Sequence, residues 1–186
     1  MEEYKGVKFS YRLVDKERPI DELRKYLELD GKLGEYLDAN ENEGNMSMRL
    51  AEGFLIKCAG ARMTELTEKD VSMVVGIEED EVVATGSVPS SEARMHHEIY
   101  NAMPGAWVIL HFHDDRMLEK FEGAAIGPFP YGSIELAEAA GREAASKQMF
   151  MIKEHGFVLI AKDERGLWQR LMLWKKYRNT YSKQEC

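Results

Sequence analysis

The stretch Leu110-His111-Phe112-His113 decides the fold, because it places two histidines at alternate positions directly after an apolar run at 106–110. That run is rich in β-forming residues and predicts a strand. In a strand, alternate side chains leave the same face about 6.5–7 Å apart along the backbone, so both imidazoles can face a single ion. The spacing is therefore typical of a metal site carried by a β-sheet.

A third histidine, His155, follows a second apolar run at 149–152. If the two runs are neighbouring strands, three neutral imidazoles meet at one point and leave a fourth position for a carboxylate or water, as in catalytic zinc sites. The alternative is that all three are hydrogen-bonded core histidines, since a lone histidine carries little information. Burying three imidazoles without a shared task is costly, which favours the metal interpretation.

Size and charge narrow the class of protein. The chain has 186 residues, a formal net charge of −8 and an isoelectric point near 5.3. The length fits a single domain over residues 1–186, in which residues 1–20 form an arm or an edge strand. The acidic balance argues against a nucleic-acid-binding protein, which needs a basic patch.

The cysteines and the apolar segments predict a cytoplasmic protein. The two cysteines are Cys58 and Cys186, and a disulfide between them would have to pin the last residue, so we expect reduced thiols. The sequence opens without a basic and then apolar leader, and no uncharged apolar run approaches the ~20 residues that span a bilayer. We therefore expect neither export nor insertion into a membrane.

Periodicity and turn residues predict an α/β domain. Residues 21–37 have the pattern of one or two amphipathic helices, interrupted at Asp30-Gly31. Pro89-Ser90-Ser91 opens a helix that runs to about Met103, and another helix begins near Ser133. The remaining predicted elements are strands at 45–50, 54–58, 71–75 and 81–84, the two strands at the histidines, and a final helix at 163–181.

Glu92 is the first candidate for a catalytic role, because a carboxylate in the first turn of its helix can reach a metal as a ligand or general base. A surface glutamate that complements the helix dipole is the alternative. Ser90 and Ser91 offer an anion site at the helix start or serve as ordinary N-caps. His96 and His97, further along this helix, point in different directions and are interpreted as packing or surface residues.

A turn and an acidic pair leave further alternatives open. The turn that begins with Gly44-Asn45 allows close backbone approach, and it either holds a phosphate or simply ends a loop. Asp114 and Asp115 are either partners that orient a histidine or a charged turn after a strand.

Six short motifs in one order resemble the class II aldolase and adducin family, whose enzymes include fuculose-phosphate aldolase and ribulose-phosphate 4-epimerase. The resemblance covers about three quarters of the chain, from Gly44 to the final helix. The motifs are Gly44-Asn45-x-Ser47, Leu55-Ile56-x-x-x-Gly60, Pro89-Ser90-Ser91-Glu92, His111-x-His113, Pro130-Tyr131-Gly132-Ser133-x-Glu135-Leu136-Ala137 and His155-Gly156.

The resemblance implies a three-layer α/β/α fold with a central, mainly antiparallel sheet, usually a homotetramer, that holds a divalent metal. Zinc is the expected ion, with manganese or cobalt as alternatives. By position in the motifs, His111, His113 and His155 match the metal histidines, and Glu92 matches the glutamate that contacts the metal or acts as base. The positions that match the surroundings of the substrate phosphate are Gly44, Asn45, Gly60, Ser90 and Ser91.

The implied function is a metal-dependent class II aldolase that cleaves or forms a carbon–carbon bond in a small phosphorylated ketose through a metal-stabilised enediolate. Two departures keep other functions open. Ala59 stands where family aldolases have a hydroxyl residue, and residues 114–129 lack the tyrosine that those aldolases carry there. The alternatives are a sugar-phosphate dehydratase or 4-epimerase of the same superfamily, and a non-catalytic, adducin-like interaction module. Tyr177 or Tyr181 on the last helix would be a substitute proton donor.

Overall fold

One nine-stranded sheet forms the centre of the protein, in a computed structural model that describes residues 6–37 and 44–182. The strand order is β1-β5-β4-β3-β2-β6-β9-β8-β7. The strands are β1 (Tyr11–Leu13), β2 (Asn45–Arg49), β3 (Phe54–Lys57), β4 (Val71–Glu78), β5 (Glu81–Thr85), β6 (Val108–Phe112), β7 (Ala125–Ile126), β8 (Met149–Ile152) and β9 (Gly156–Ala161).

The sheet is mainly antiparallel, as expected. Only its two outermost pairs, β1 with β5 and β7 with β8, run parallel. Short connections join three of the antiparallel pairs, β2–β3, β4–β5 and β8–β9, as tight turns allow, whereas β2–β6 and β6–β9 pair strands that are distant in sequence. Within the segment 1–20, β1 lies at one edge of the sheet.

Helices cover both faces of this sheet, which confirms the expected three-layer α/β/α fold. The two long helices α1 and α5 pack on one face, and α2 and α4 pack on the other. Among these helices, none is long and apolar enough to cross a membrane within the described part of the chain. The helices are α1 (Ile20–Leu37), α2 (Ala93–Ala102), α3 (Asp115–Leu118), α4 (Ile134–Ala144) and α5 (Glu164–Ser182), with a 3₁₀ turn at Glu68–Asp70.

Alternation along the central strands separates two cores. Met46 and Met48 of β2 belong to the core beneath α1 and α5, so their neighbours Asn45 and Ser47 face α2. On β6 the same rule sends Leu110 and Phe112 towards α1 and α5. Consequently the side chains of Asn45, Ser47 and His111 share the face that carries α2.

Three sequence-based expectations differ from the structure. α1 is one continuous helix through Asp30-Gly31, because Leu29 and Leu33 lie on the same buried face on either side of that pair. α2 begins at Ala93 and not at the serines, and its N-cap is Glu92. β6 and β8 are not neighbours, since β9, which the sequence analysis did not predict, lies between them.

Candidate metal centre

β6 and the turn between β8 and β9 bring three histidines together. His111 lies on β6 opposite Val158 of β9, and His113 follows the end of β6 by one residue. His155 immediately precedes β9. The ring centroids of the three imidazoles are 4.9–5.2 Å apart, and one nitrogen from each lies within 4.8 Å of the others.

The tautomer of His111 follows from its backbone contact. Its Nδ1 lies 3.1 Å from the carbonyl oxygen of Phe157. A carbonyl oxygen only accepts hydrogen bonds, so Nδ1 carries the proton and Nε2 presents a lone pair. That lone pair points at the cluster, where His111 Nε2 is 3.0 Å from His113 Nε2 and 3.3 Å from Glu92 Oε2.

Glu92 places a carboxylate between two of the rings. It is 5% exposed, and its Oε2 accepts a hydrogen bond of 2.7 Å from the side-chain amide of Asn45. Its Oε1 lies 3.3 Å from His155 Nε2 and has no hydrogen-bond partner. The carboxylate therefore contacts the cluster from α2, the layer that faces His111.

Burial keeps two histidines of the cluster, His111 and His113, neutral. Burial and, after it, the neighbouring His155 lower the pKa of His113 to about 4. The pKa of His111 falls well below its usual range, first because of burial and then because of His155 and His113. Neutral imidazoles with free lone pairs are the form that binds metals.

The donor set fits a divalent cation. Glu92 Oε2 and the lone pair of His111 Nε2 are two acceptors that face each other in a buried place, an arrangement that a cation between them stabilises. Glu92 Oε1, which faces His155, is a buried oxygen without a hydrogen-bond partner. Three imidazoles and one carboxylate also match the ligands that zinc takes in catalytic sites.

Of the five predicted phosphate residues, Gly44 and Asn45 stand at the start of β2, and Gly60, Ser90 and Ser91 lie on two turns whose backbones are paired. The end of β3 continues alongside residues 88–90, since Ser90 N–H donates to Lys57 O at 2.9 Å and Ala59 N–H donates to Val88 O at 3.0 Å. This pairing brings the turn at Gly60 next to Ser90 and Ser91, whose side chains are buried. The amide nitrogen of Asn45, however, is already bonded to Glu92.

Gly44 must be glycine for a steric reason. Its φ is +70°, and a Cβ there would lie 2.8 Å from the carbonyl oxygen of His111. Gly60 also has a positive φ, of +76°, but faces open space. Gly44 therefore lets the start of β2 approach the first histidine, and Gly60 leaves room for a ligand.

Asp114 and the hydroxyl of Tyr177 are held by residues outside the histidine cluster. Asp114 is held by Arg178 at 3.4 Å and Arg116 at 3.9 Å. The hydroxyl of Tyr177 donates to the carbonyl of Lys120 at 3.3 Å and accepts from the backbone N–H of Glu122 at 3.2 Å. These contacts fasten the 114–129 segment to α5.

A cavity of about 460 Å³ opens beside His113. Its wall includes Gly44, and α5 contributes Trp174, Lys175 and Arg178. This volume is in the range of pockets that take small molecules. The metal cluster therefore lies next to a space that can admit a small polar ligand.

His96, interpreted from the sequence as a packing or surface residue, is buried and bonded to β2. Its ring is fully buried, its Nδ1 lies 2.6 Å from Ser47 Oγ, and its Nε2 has no partner. Burial lowers its pKa to about 4. The four-residue spacing from Glu92 was a signal that both side chains share a helix face.

The known proteins that this chain resembles point to one family. The family model described as the class II aldolase and adducin N-terminal domain matches residues 32–120. The L-fuculose phosphate aldolase of Escherichia coli (strain K12) is 27% identical over 145 residues, which cover 67% of this chain and 66% of that relative. The fluorothreonine transaldolase of Streptantibioticus cattleyicolor is 30% identical over 125 residues, or 65% of this chain and only 20% of that relative. The chain thus spans less than two thirds of either relative.

Solved structures match over nearly the whole fold. An L-fuculose 1-phosphate aldolase has a TM-score of 0.76 at 18% identity, covering 90% of this chain and 88% of that one. YgbL from Klebsiella pneumoniae, described as a putative aldolase/epimerase/decarboxylase, has a TM-score of 0.70 at 20% identity, covering 86% and 88%. At these identities the likeness establishes the fold.

Proposed function

Because the chain belongs to the class II aldolase and adducin family, we propose that it is a metal-dependent aldolase, which cleaves or forms a carbon–carbon bond in a small phosphorylated ketose. One observation carries the proposal: three imidazoles lie together, two of them against the buried Glu92 carboxylate, and the third, His113, lines a cavity. A core that needed only packing would not bury four polar groups in this way. Relatives named as fuculose phosphate aldolases support a sugar phosphate as substrate.

His111, His113 and His155 are the proposed metal ligands, and Glu92 is the fourth group of the site. Zinc is the expected ion, with cobalt or manganese as alternatives. When bound, a divalent ion supplies the positive charge that stabilises an enediolate. The Nδ1–H of His111 is held by Phe157 O, which keeps Nε2 directed at the centre.

Glu92 is the proposed base. In the direction of bond formation, one of its carboxylate oxygens takes a proton from the carbon next to the substrate carbonyl. Asn45 holds Oε2, so the unpartnered Oε1 is the oxygen suited to this transfer. In the cleavage direction, Glu92 returns that proton to carbon.

The phosphate is proposed to bind where the turns of Gly44, Gly60 and Ser90-Ser91 meet at the start of α2, with Asn45 alongside. Backbone N–H groups at a helix start favour an anion, and α2 provides such a start at Glu92. Ala59 in place of a hydroxyl residue removes one hydrogen bond from that site.

A dehydratase or 4-epimerase of the same superfamily is the second candidate. Residues 114–129 contain no tyrosine, and the Tyr177 hydroxyl is bonded to the backbone of that segment. An aldolase needs a second group that gives a proton to the new alkoxide. Because the Tyr177 hydroxyl is already hydrogen-bonded to the backbone, it is poorly placed to give that proton. This favours dehydration or epimerisation over aldol cleavage.

Assembly and location rest on the family resemblance and the cysteine pattern. We propose a homo-oligomer, a tetramer by resemblance, in the cytoplasm. Light scattering on the purified protein measures the number of subunits directly.

Turnover assays test the proposed reaction. Purified protein is incubated with a panel of ketose 1-phosphates and with zinc, cobalt or manganese, and aldehyde release, dehydration and epimerisation are measured in parallel. Aldehyde release that disappears in Glu92→Gln supports the aldolase. Dehydrated or epimerised product supports the second candidate, and absence of product with every metal and sugar points to an adducin-like interaction module.

A further inference from the structure

A series of buried polar contacts joins β2 to α2 beside the metal centre. On β2 the contributing residues alternate, and on α2 they lie four residues apart, so each set shares one face. We call this series the β2–α2 polar ladder. Its contacts are Asn45 Nδ2 to Glu92 Oε2 at 2.7 Å, Ser47 Oγ to His96 Nδ1 at 2.6 Å, Ser47 Oγ to the Tyr100 hydroxyl at 2.9 Å, and Arg49 Nη2 to the Tyr100 carbonyl at 2.7 Å.

The ladder lies in the interior of the protein. Ser47 and His96 are 0% exposed, Asn45 is 3% exposed and Tyr100 is 4% exposed. The contact between a helix and a sheet is usually filled by apolar side chains, which tolerate small sliding movements. Directional hydrogen bonds instead fix both the rotation of α2 and its position along β2.

The donor and acceptor in each contact of the ladder can be assigned by starting from the carbonyl of Trp107, which Tyr100 contacts. The carbonyl of Trp107 can only accept, so the Tyr100 hydroxyl donates to it at 3.3 Å. The Ser47 hydroxyl then donates to Tyr100, and His96 Nδ1–H donates to Ser47. This assignment gives every contact a proton and leaves a lone pair on His96 Nε2, which is buried without a partner.

That unpartnered nitrogen argues against a purely stabilising role. A buried polar atom without a partner costs free energy, so an apolar ring of similar size would serve stability as well or better. Residues that cost stability are typically found where function requires them. His96 is one helical turn beyond Glu92, whose side chain makes no capping bond to α2. The place of Glu92 therefore depends on α2 and on Asn45.

We propose that Ser47 and His96 are positioning residues, which hold the Glu92 carboxylate against His111 and His155 by locking α2 onto β2. The inference rests on the proposed function, in which Glu92 acts at the metal centre. Loss of the Ser47–His96 contact frees α2 to shift relative to β2. Such a shift moves Glu92 relative to the histidines, and small misplacements of a reacting group slow catalysis strongly.

Four single variants separate positioning from packing. His96→Phe keeps a ring of similar size and removes both nitrogens, while Ser47 keeps its bond to Tyr100. His96→Asn retains an amide near the place of Nδ1, and His96→Gln instead places an amide near Nε2. His97→Phe is the matched control, because His97 is the next residue of α2 and contacts Glu98 and Asn101 on another side of the helix.

Each variant is measured in two ways. Cobalt(II) titration gives the dissociation constant and the visible absorption of the loaded site without any substrate, and steady-state assays give kcat and KM. His96→Phe and His96→Gln are expected to weaken cobalt binding or alter its absorption, with effects on the order of 10-fold, and to lower kcat about 10- to 100-fold with little change in KM. His96→Asn should recover most of both properties, and His97→Phe should match the wild type.

Either of two results overturns the proposal. One is a His96→Phe protein with wild-type cobalt spectrum and kcat, and the other is rescue by His96→Gln as complete as that by His96→Asn. If His96→Phe does not fold, the Asn and Gln variants decide the matter. If the wild type turns over no sugar phosphate, the proposed function fails, while the cobalt spectra still test the role of His96.

Discussion

A Cβ added to Gly156 would lie 3.0 Å from Cε1 of the His111 ring. The same atom would lie 2.7 Å from the carbonyl oxygen of Phe112. Both distances are shorter than ordinary carbon contacts, so the turn that delivers His155 packs directly on the first histidine. This contact joins His111 to the turn that carries His155, although the two are far apart in the sequence.

Gly156→Ala is therefore expected to displace the His111 ring and to weaken zinc binding by about tenfold or more. Competition with a chromophoric chelator measures the zinc affinity. Gly31→Ala is the matched control, because a Cβ at Gly31 in α1 meets no atom within 4 Å. If Gly156→Ala binds zinc as tightly as the control, the close packing of Gly156 on His111 does not contribute to zinc binding.

The pH dependence of stability should report the buried His96. Its pKa is lowered by burial to about 4 from an ordinary value of 6.5, so the unfolded chain binds one more proton between these pH values. Its contribution to stability is complete above pH 6.5 and is lost as pH falls towards 4. Each such proton changes the unfolding free energy by about 1.4 kcal/mol per pH unit. In metal-free protein, His96→Phe should reduce the slope of stability against pH by that amount. Parallel urea titrations of wild type and variant that give equal slopes would contradict the burial of a neutral ring.

Asp30 should act in the opposite direction. Burial raises its pKa to about 7 from 3.8, although the nearby Lys57 and the backbone N–H of Thr64 lower it. Between pH 4 and 7 the folded protein therefore holds a proton that the unfolded chain has released, so this group makes stability fall as pH rises. Asp30→Asn removes that effect and should steepen the rise of stability with pH between 4 and 6.5. A slope unchanged from the wild type in urea titrations would rule out a raised pKa at this position.

Much of the centre could be predicted because its residues stand in short, ordered motifs. The His-x-His pair, His155 before a glycine and Glu92 after two serines are local patterns, and the fold places these four residues together. The two apolar runs that precede the histidines, however, are not neighbouring strands, as the sequence had led us to expect. β9, an apolar strand directly after His155, lies between β6 and β8, and strand order is a non-local property that spacing does not encode.

The expected interruption of α1 was also wrong, and the polar contact of His96 was not predicted. Asp30 and Gly31 are weak helix formers, but the apolar face of α1 packs on the sheet, and this packing overrides the local preference. The contact of His96 with Ser47 depends on how α2 is rotated over β2, which only the tertiary structure defines. The four-residue spacing from Glu92 distinguishes His96 from His97, but no spacing identifies Ser47 as its partner.

Tyr177→Phe distinguishes a structural tyrosine from a catalytic one. The hydroxyl contacts Lys120 and Glu122, so its removal should cost about 1 kcal/mol of stability and leave most of the turnover intact. Thermal unfolding and steady-state kinetics measure the two effects. A loss of kcat of a hundredfold or more would instead assign the missing proton donor to Tyr177.

The central claim is that His111, His113 and His155 bind one divalent metal ion. Elemental mass spectrometry on protein purified with zinc and then dialysed tests it most directly. We expect about one zinc per chain in the wild type and in His97→Ala, and little zinc in the double variant His111→Ala, His113→Ala. Wild-type protein without bound zinc, or a double variant with undiminished zinc, would contradict the account.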